Sequence, residues 1–451
     1  MKKKQCGAGI LLLSLALLWS GCGGGDPAPD EGAVPDAAQE TEAAAETEEI
    51  MTETQEEEKA MTLREELWAE YCERERQDET RIREDADRSV SLNGVVMKYG
   101  MKIVGEPDED GRYPLYIALH GGGSDETGRI NDDQWRQMGT YYLGGVKSGI
   151  YVNPRAVRDT WDCHSNPESY PLYDRIIENM ILFRNADPDR VYLMGFSAGG
   201  DGVYQITPRM TDRFAAANMS AGHPNGVKLE NLYNMPLQLQ VGANDDAYGR
   251  NKMTAEYDIL LNKLQDKYGG GYIHRTNIHA DRGHNFADYD DAEHEIMSDV
   301  RAFFRTGKSD TVKEKTGAVL FMDQYQRDPL PETVVWNLGV RASMRTAESF
   351  YWLSAPMNVN TGIVTARFDR EANSFTVTTD GKVKGDLSIL LSEDMADFSR
   401  PVTVELDGET FSYEPQIRRE VMEATLEERG DPSWIFSDRI SLSELKDGAG
   451  N

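Results

Sequence analysis

The sequence predicts an α/β architecture built on a mostly parallel sheet, followed by a β-rich region of sandwich-like character. Three observations predict it. Between residues 93 and 305, short apolar runs alternate with helix-period segments, as right-handed crossovers between parallel strands require. Within that stretch, residues 191–205 (VYLMGFSAGGDGVYQ) read as a buried strand that turns sharply into a helix. Beyond residue 317 the texture changes to many short strand-like runs with turn signals between them.

Taken in order, residues 1–21 carry Lys2, Lys3 and Lys4 and then an apolar run at 10–18. That run is too short for a permanent membrane span and fits an export signal. It closes on Leu18-Trp19-Ser20-Gly21-Cys22, which resembles a bacterial lipoprotein signal and implies lipidation at Cys22 and attachment to a membrane. Residues 22–61 are dominated by Glu, Asp, Ala, Thr, Gln and Pro, a composition expected to form a disordered acidic tether. The formal charge of the chain is -30 at pH 7, and the part beyond the tether is acidic too, which argues against a nucleic-acid partner. Residues 62–90 lack Pro and Gly and predict a charged lead-in helix with a narrow apolar stripe of Leu63, Leu67, Trp68 and Tyr71. Of the four cysteines, Cys6 lies in the signal, and Cys72 and Cys163 remain after Cys22. Their spacing leaves pairing open, and no cluster with metal-ligand spacing is present in the sequence.

The first folded domain spans residues 91–307. Strands are expected at 95–104 and 113–119, the second running straight into His120-Gly121-Gly122-Gly123. Glycines at that place let backbone N–H groups approach a developing oxyanion. A strand at 149–153 and an amphipathic helix at 170–185 lead to the strand–turn–helix. There Gly195-Phe196-Ser197-Ala198-Gly199 sets Ser197 on a strained corner with its hydroxyl exposed, which makes it the candidate nucleophile. Strands at 214–219, 237–241 and 272–278 follow, with helices at 253–268 and 292–305.

An activated serine needs a base and the base an orienting acid, in the chain order Ser, Asp, His for this architecture. Asp245 sits just past the 237–241 strand in a Gly-x-x-Asp spacing, with Asp246 as the alternative. His284 follows Gly283, which would let its loop swing inward, and His279 is the alternative nearer the strand. Trp161 and His223 lie in strand-end loops on the same side and are candidate substrate contacts, Trp161 as an apolar wall. Tyr248, Arg250 and Asn251 are weaker candidates, Asn251 reading better as a helix cap.

With HGGG, the run DPDRVYLMGFSAGG, and GxxD followed by GH, residues 93–306 resemble α/β-hydrolase esterases related to secreted polyhydroxyalkanoate depolymerases and feruloyl or acetyl-xylan esterases. The resemblance implies an α/β-hydrolase fold and cleavage of carboxylic esters through an acyl-serine, with no metal or cofactor. It maps Ser197, Asp245 and His284 onto a catalytic triad and Ala198 with Gly121 or Gly122 onto the oxyanion donors. The implied substrates are esters, polysaccharide-linked ones among them. A serine peptidase of the same fold and a non-catalytic glycan-binding surface protein are the competing readings.

Residues 308–316 read as a polar connection and 317–451 as the β-rich C-terminal domain. Its strand-like runs fall at 319–322, 334–338, 350–353, 363–368, 374–378, 387–391, 402–406 and 410–413, with a helix at 416–429. Asp407-Gly408 is a strong two-residue hairpin signal. No residue cluster there looks catalytic.

Overall fold

The computed structural model describes residues 37–448, with side-chain surroundings from residue 57. The expected export signal, Cys22 and the first part of the expected tether lie outside the described residues. Helix α1 (Ala37–Gln77) starts inside the segment expected to be disordered. Its run of Ala, Glu and Gln holds strong helix formers, with neither Pro nor Gly to interrupt them. The lead-in helix is also shorter than expected. Asp78 breaks it and caps α2 (Glu79–Asp87), accepting from Thr80 and Arg81 N–H at 2.8 Å. The apolar stripe of α1 is used: Leu67, Tyr71 and Cys72 are buried against Leu182, Met422 and Leu426.

Ten strands form one sheet: β1 (Ser89–Leu92), β2 (Val95–Val104), β3 (Tyr113–Leu119), β4 (Gly149–Pro154), β5 (Ala186–Phe196), β6 (Ala216–Ser220), β7 (Leu237–Gly242), β8 (His274–His279), β9 (Glu293–Met297) and β10 (Thr311–Lys315). Their order is β1-β2-β4-β3-β5-β6-β7-β8-β9-β10. The run from β4 to β8 is parallel, and both edges are antiparallel. Between these strands lie α3 (Arg129–Tyr141), α4 (Ser169–Arg184), α5 (Ala198–Ile206) and α6 (Arg250–Tyr268). On β3, Leu115, Ile117 and Leu119 join one core with α4, while Tyr116 and Ala118 join another with α3. A strand buried on both faces carries a continuous apolar run, which is why these strands were legible.

The sheet extends further than expected. Residues 292–305 hold β9 and then α7 (Val300–Thr306) rather than one helix, and the polar 308–316 connection holds β10, paired to β9. All five residues of β10 are exposed, so no apolar alternation announced it. Residues 319–322 fold as α8 (Ala318–Met322) and not as a strand; a short buried apolar run does not distinguish the two.

The C-terminal region has β11 (Thr333–Asn337), β12 (Ser349–Phe350), β13 (Leu353–Ser354), β14 (Ile363–Asp369), β15 (Ser374–Thr379), β16 (Ser388–Leu391), β17 (Val402–Leu406), β18 (Glu409–Tyr413), α9 (Arg419–Arg429) and β19 (Asp438–Ser441). A five-stranded sheet, β11-β14-β15-β17-β18, and a four-stranded one, β12-β13-β16-β19, contribute to a single apolar core. Asp407 and Gly408 both have positive φ, as a two-residue hairpin between β17 and β18 demands. Residues Ile50–Asn451 make one compact unit. Inside it, ion pairs made by buried arginines tie the regions together: Arg345 Nε to Asp174 at 2.8 Å, Arg429 Nη2 to Asp212 at 2.7 Å and Arg327 Nη2 to Asp189 at 2.7 Å.

Cys72 and Cys163 are free, buried thiols in separate apolar clusters. Among the described residues, no helix is long and apolar enough to cross a membrane.

Candidate active site

Ser197 joins β5 to α5 with φ 60° and ψ -122°, a conformation that strains any residue with a Cβ. Two glycines make the corner possible. A Cβ on Gly195 would stand 2.3 Å from Gly199 O, and one on Gly199 would stand 2.1 Å from Leu119 O. The Ser197 N–H donates to Ser220 O at 2.9 Å, which anchors the corner to β6.

His284 reaches this corner from the loop after β8. Its Nε2 lies 2.9 Å from Ser197 Oγ and its Nδ1 2.8 Å from Asp245 Oδ2. Asp245 is buried, whereas Asp246 is exposed. The sequence credited Gly283 with letting the histidine loop in, but Gly283 has open space around its Cβ position. The constraint falls on Gly242 at the end of β7, where a Cβ would lie 2.0 Å from Gly283 O. His279 is not a base for Ser197. It is buried, its Nε2 donates to Gln240 Oε1 at 3.0 Å, and burial lowers its pKa to about 3.

The loop after β3 is held from beneath by two buried histidines. His120 Nε2 accepts from Ala156 N–H, so Nδ1 carries the proton and donates to Gly121 O. Burial pulls His120 down to about 4, and burial pushes His164, which donates to His120 O at 2.8 Å, well below the ordinary range. Gly123 N–H is taken by Asn131 Oδ1 at 2.9 Å. Gly121 and Gly122 N–H have no acceptor among the described residues. A Cβ on Gly121 would lie 3.4 Å from Ser197 Cβ, so this backbone runs beside the serine. Ala198 is the first residue of α5, where an N–H has no partner within the helix.

Two pockets are lined by neighbours of these residues in the chain and by side chains of the surrounding loops. One of about 450 Å³ is walled by the rings of Tyr141, Phe196, Phe286 and Tyr289, with Gly121 and Arg282 beside them. The other, of about 580 Å³, brings together Trp161 and His223 with Asp201, Tyr248 and Arg250. Trp161 and Tyr248 are 61% and 71% exposed, with ring centroids 6.4 Å apart. Arg250 stacks on Tyr248 at 4.9 Å and places Nη1 3.6 Å from Asp245 Oδ1, so it backs the carboxylate that faces His284. Asn251 donates its side-chain N–H to Ala243 O at 2.8 Å, a structural tie near the start of α6. Sequence reasoning missed Tyr141, Phe196 and Phe286: Phe196 stands inside the Gly195–Gly199 turn and Phe286 just after His284, but neither motif constrains those side chains, and Tyr141 lies in a helix that no motif marks. No group of three or more His, Cys, Asp or Glu side chains among the described residues could hold a metal.

No known family model matches the chain. The bifunctional acetylxylan esterase/xylanase XynS20E of Neocallimastix patriciarum is 29% identical over 136 residues, covering 30% of this chain and 19% of that protein. The chain therefore matches less than a fifth of that relative's length. Among solved structures, a thermostable esterase aligns at 22% identity and TM-score 0.33, over 43% of this chain and 53% of its own. The poly(3-hydroxybutyrate) depolymerase LpqC of Bordetella parapertussis aligns at 17% and TM-score 0.34, over 44% and 82%. The acylaminoacyl peptidase of Pyrococcus horikoshii aligns at 16% and TM-score 0.31, over 44% and 37%.

Proposed function

We propose that the protein is a serine hydrolase that cleaves carboxylic esters through an acyl-serine. The observation that carries this reading is the pair of contacts at 2.9 and 2.8 Å that joins Ser197 Oγ, His284 and Asp245 in one line. Ser197 Oγ attacks the ester carbonyl while His284 Nε2 takes its proton, and Asp245 orients the ring and stabilises the imidazolium. The oxyanion is received by Ala198 N–H with that of Gly121 or Gly122. His284 then protonates the leaving alcohol. Water, deprotonated in turn by His284, releases the acid and restores Ser197. The four-ring pocket takes the acyl group, and the pocket with Trp161 and His223 takes the alcohol, a glycan hydroxyl being one such alcohol.

The test is Ser197→Ala. It should abolish fluorophosphonate labelling and lower ester turnover at least about a thousandfold while leaving the protein folded. A mutant with wild-type turnover ends the reading. Amides of the same acids, cleaved at rates approaching those of the esters, would move the assignment to a peptidase.

The enzyme is further read as an exported protein anchored through lipidated Cys22. A single acyl chain holds a protein only marginally, so stable anchoring needs more than one chain on that cysteine. In cells expressing the full gene, Cys22→Ala should shift the protein from the membrane fraction to the soluble one with its esterase activity intact. Wild-type protein already soluble and unlipidated would remove the anchor.

A further inference from the structure

Behind the four-ring pocket runs a chain of buried hydrogen bonds that the mechanism does not use. His279 Nε2 donates to Gln240 Oε1 at 3.0 Å, and Gln240 Nε2 donates to Asn218 Oδ1 at 2.8 Å. Asn218 Nδ2 donates to Ser220 Oγ at 2.9 Å, and Ser220 Oγ donates to Asp288 Oδ2. Tyr142 and Tyr141 hydroxyls donate to the same carboxylate at 2.8 and 2.9 Å. Every donor along this path points toward Asp288. All six side chains from His279 through Asp288 to Tyr142 are buried, and the path crosses β8, β7 and β6 to the loop after His284.

The two ends of the chain hold two of the pocket's walls. Tyr141 is tied by its hydroxyl to Asp288, and Phe286 is stacked on the His279 ring with centroids 4.4 Å apart. Ser220 adds a third tie, because its carbonyl accepts the Ser197 N–H. Asp288 is thus a buried carboxylate whose partners are hydroxyls, with no Lys, Arg or His paired to it among the described residues. A charge without a counter-ion survives burial only while its donors stay aligned, so carboxylate and rings fix one another.

We propose that Asp288 is a positioning residue that fixes the Tyr141 wall of the pocket beside Ser197 and so sets which acyl groups the enzyme accepts. The proposal rests on the ester-hydrolase reading. A loosened wall costs little to an acetyl group, which does not reach it, and much to a rigid acyl group packed on it. Burial supports the same picture by pushing the Asp288 carboxyl up to about 6, against the opposing hydrogen bonds of Ser220 and the tyrosines. The other titratable groups around it are Tyr141, Tyr142 and Tyr151, all raised first by burial, together with neutral His279.

The experiment compares p-nitrophenyl acetate with p-nitrophenyl benzoate, which share a leaving group, on wild type, Asp288→Asn and Tyr141→Phe. In Asp288→Asn, kcat/KM for the benzoate should fall at least about tenfold more than for the acetate, with the difference in KM. Tyr141→Phe keeps the ring and loses the tie, so it should reproduce most of that difference even if Asp288→Asn fails to fold. An equal loss on both esters, or none on either, overturns the proposal while leaving the ester reading in place. Wild type inactive on both esters sinks the ester reading instead. Binding of free benzoate then decides about Asp288 without turnover: weakened about tenfold in the variants it supports the proposal, unchanged it overturns it.

Discussion

Asp245 Oδ2 lies 2.8 Å from His284 Nδ1, while Asp246, next in the chain, faces solvent. One residue therefore separates the two carboxylates in sequence and a whole environment separates them in space. Asp245→Asn should lower kcat for esters by about two to four orders of magnitude, since an amide no longer enforces the productive tautomer. Asp246→Asn should stay within about twofold of wild type, because an exposed carboxylate contributes little. Steady-state ester hydrolysis on the two purified mutants decides between them.

Gly242→Ala should behave as a catalytic mutant without touching a catalytic group. Its Cβ would stand 2.0 Å from Gly283 O, so the loop that carries His284 must retreat. A misplacement of about 1 Å between reacting groups costs on the order of a hundredfold in rate. The expected signature is a fall in kcat with the protein still folded. A Gly242→Ala enzyme with wild-type kcat would show that the loop can be seated without this contact.

What was legible in the sequence follows from how local each signal is. Ser197 and His120-Gly121-Gly122-Gly123 were readable because a strand, a turn and a helix start lie within a few residues of one another. Asp288 was not, since its donors Tyr142 and Ser220 stand 146 and 68 positions away and meet it only in the folded chain. Helix α1 was misjudged for a different reason: Ala, Glu, Gln and Thr compose disordered tethers and exposed helices alike. The Asp245 or Asp246 choice, and His284 against His279, turned on burial that spacing does not encode.

Stability should rise with pH between about 4 and 6.5. Burial lowers the pKa of His120 to about 4 and of His279 to about 3, and pushes His164 well below the ordinary histidine range. Each takes up a proton on unfolding in that window, so its contribution is full above the unfolded pKa and lost as pH falls toward the folded one. Asp288 acts oppositely. Raised from 3.8 to about 6, it binds its proton more readily when folded, so its contribution is lost as pH rises through that interval. Three protons against one leave a slope of at most about 3 kcal/mol per pH unit. Urea unfolding at several pH values should show the slope flattened in His279→Gln and steepened in Asp288→Asn.

The last prediction concerns the join between the large sheet and the C-terminal strands. Asp174 on α4 accepts from Arg213 Nε at 2.7 Å and from Arg345 Nε at 2.8 Å, and both guanidinium groups are buried. Burial opposes ionisation of Asp174, yet Arg345 and Arg213 outweigh it and hold the carboxyl well below the ordinary range. Its contribution is therefore present above about pH 4 and is lost as pH falls through the folded pKa. Asp174→Asn leaves two buried cations around a neutral amide, beside Arg429, which burial and these same arginines already lower to about 10. Removing one partner of a buried pair costs about 3–5 kcal/mol, more than an exposed pair would by several-fold. The mutant should lose that much in urea unfolding at pH 7 while ester turnover at 25 °C remains, because Asp174 touches neither Ser197 nor His284. A loss below about 1 kcal/mol would mean that the arginines find other partners: Asp212 lies 3.6 Å from Arg345, and Asp431 and Glu178 lie 3.5 and 3.6 Å from Arg213.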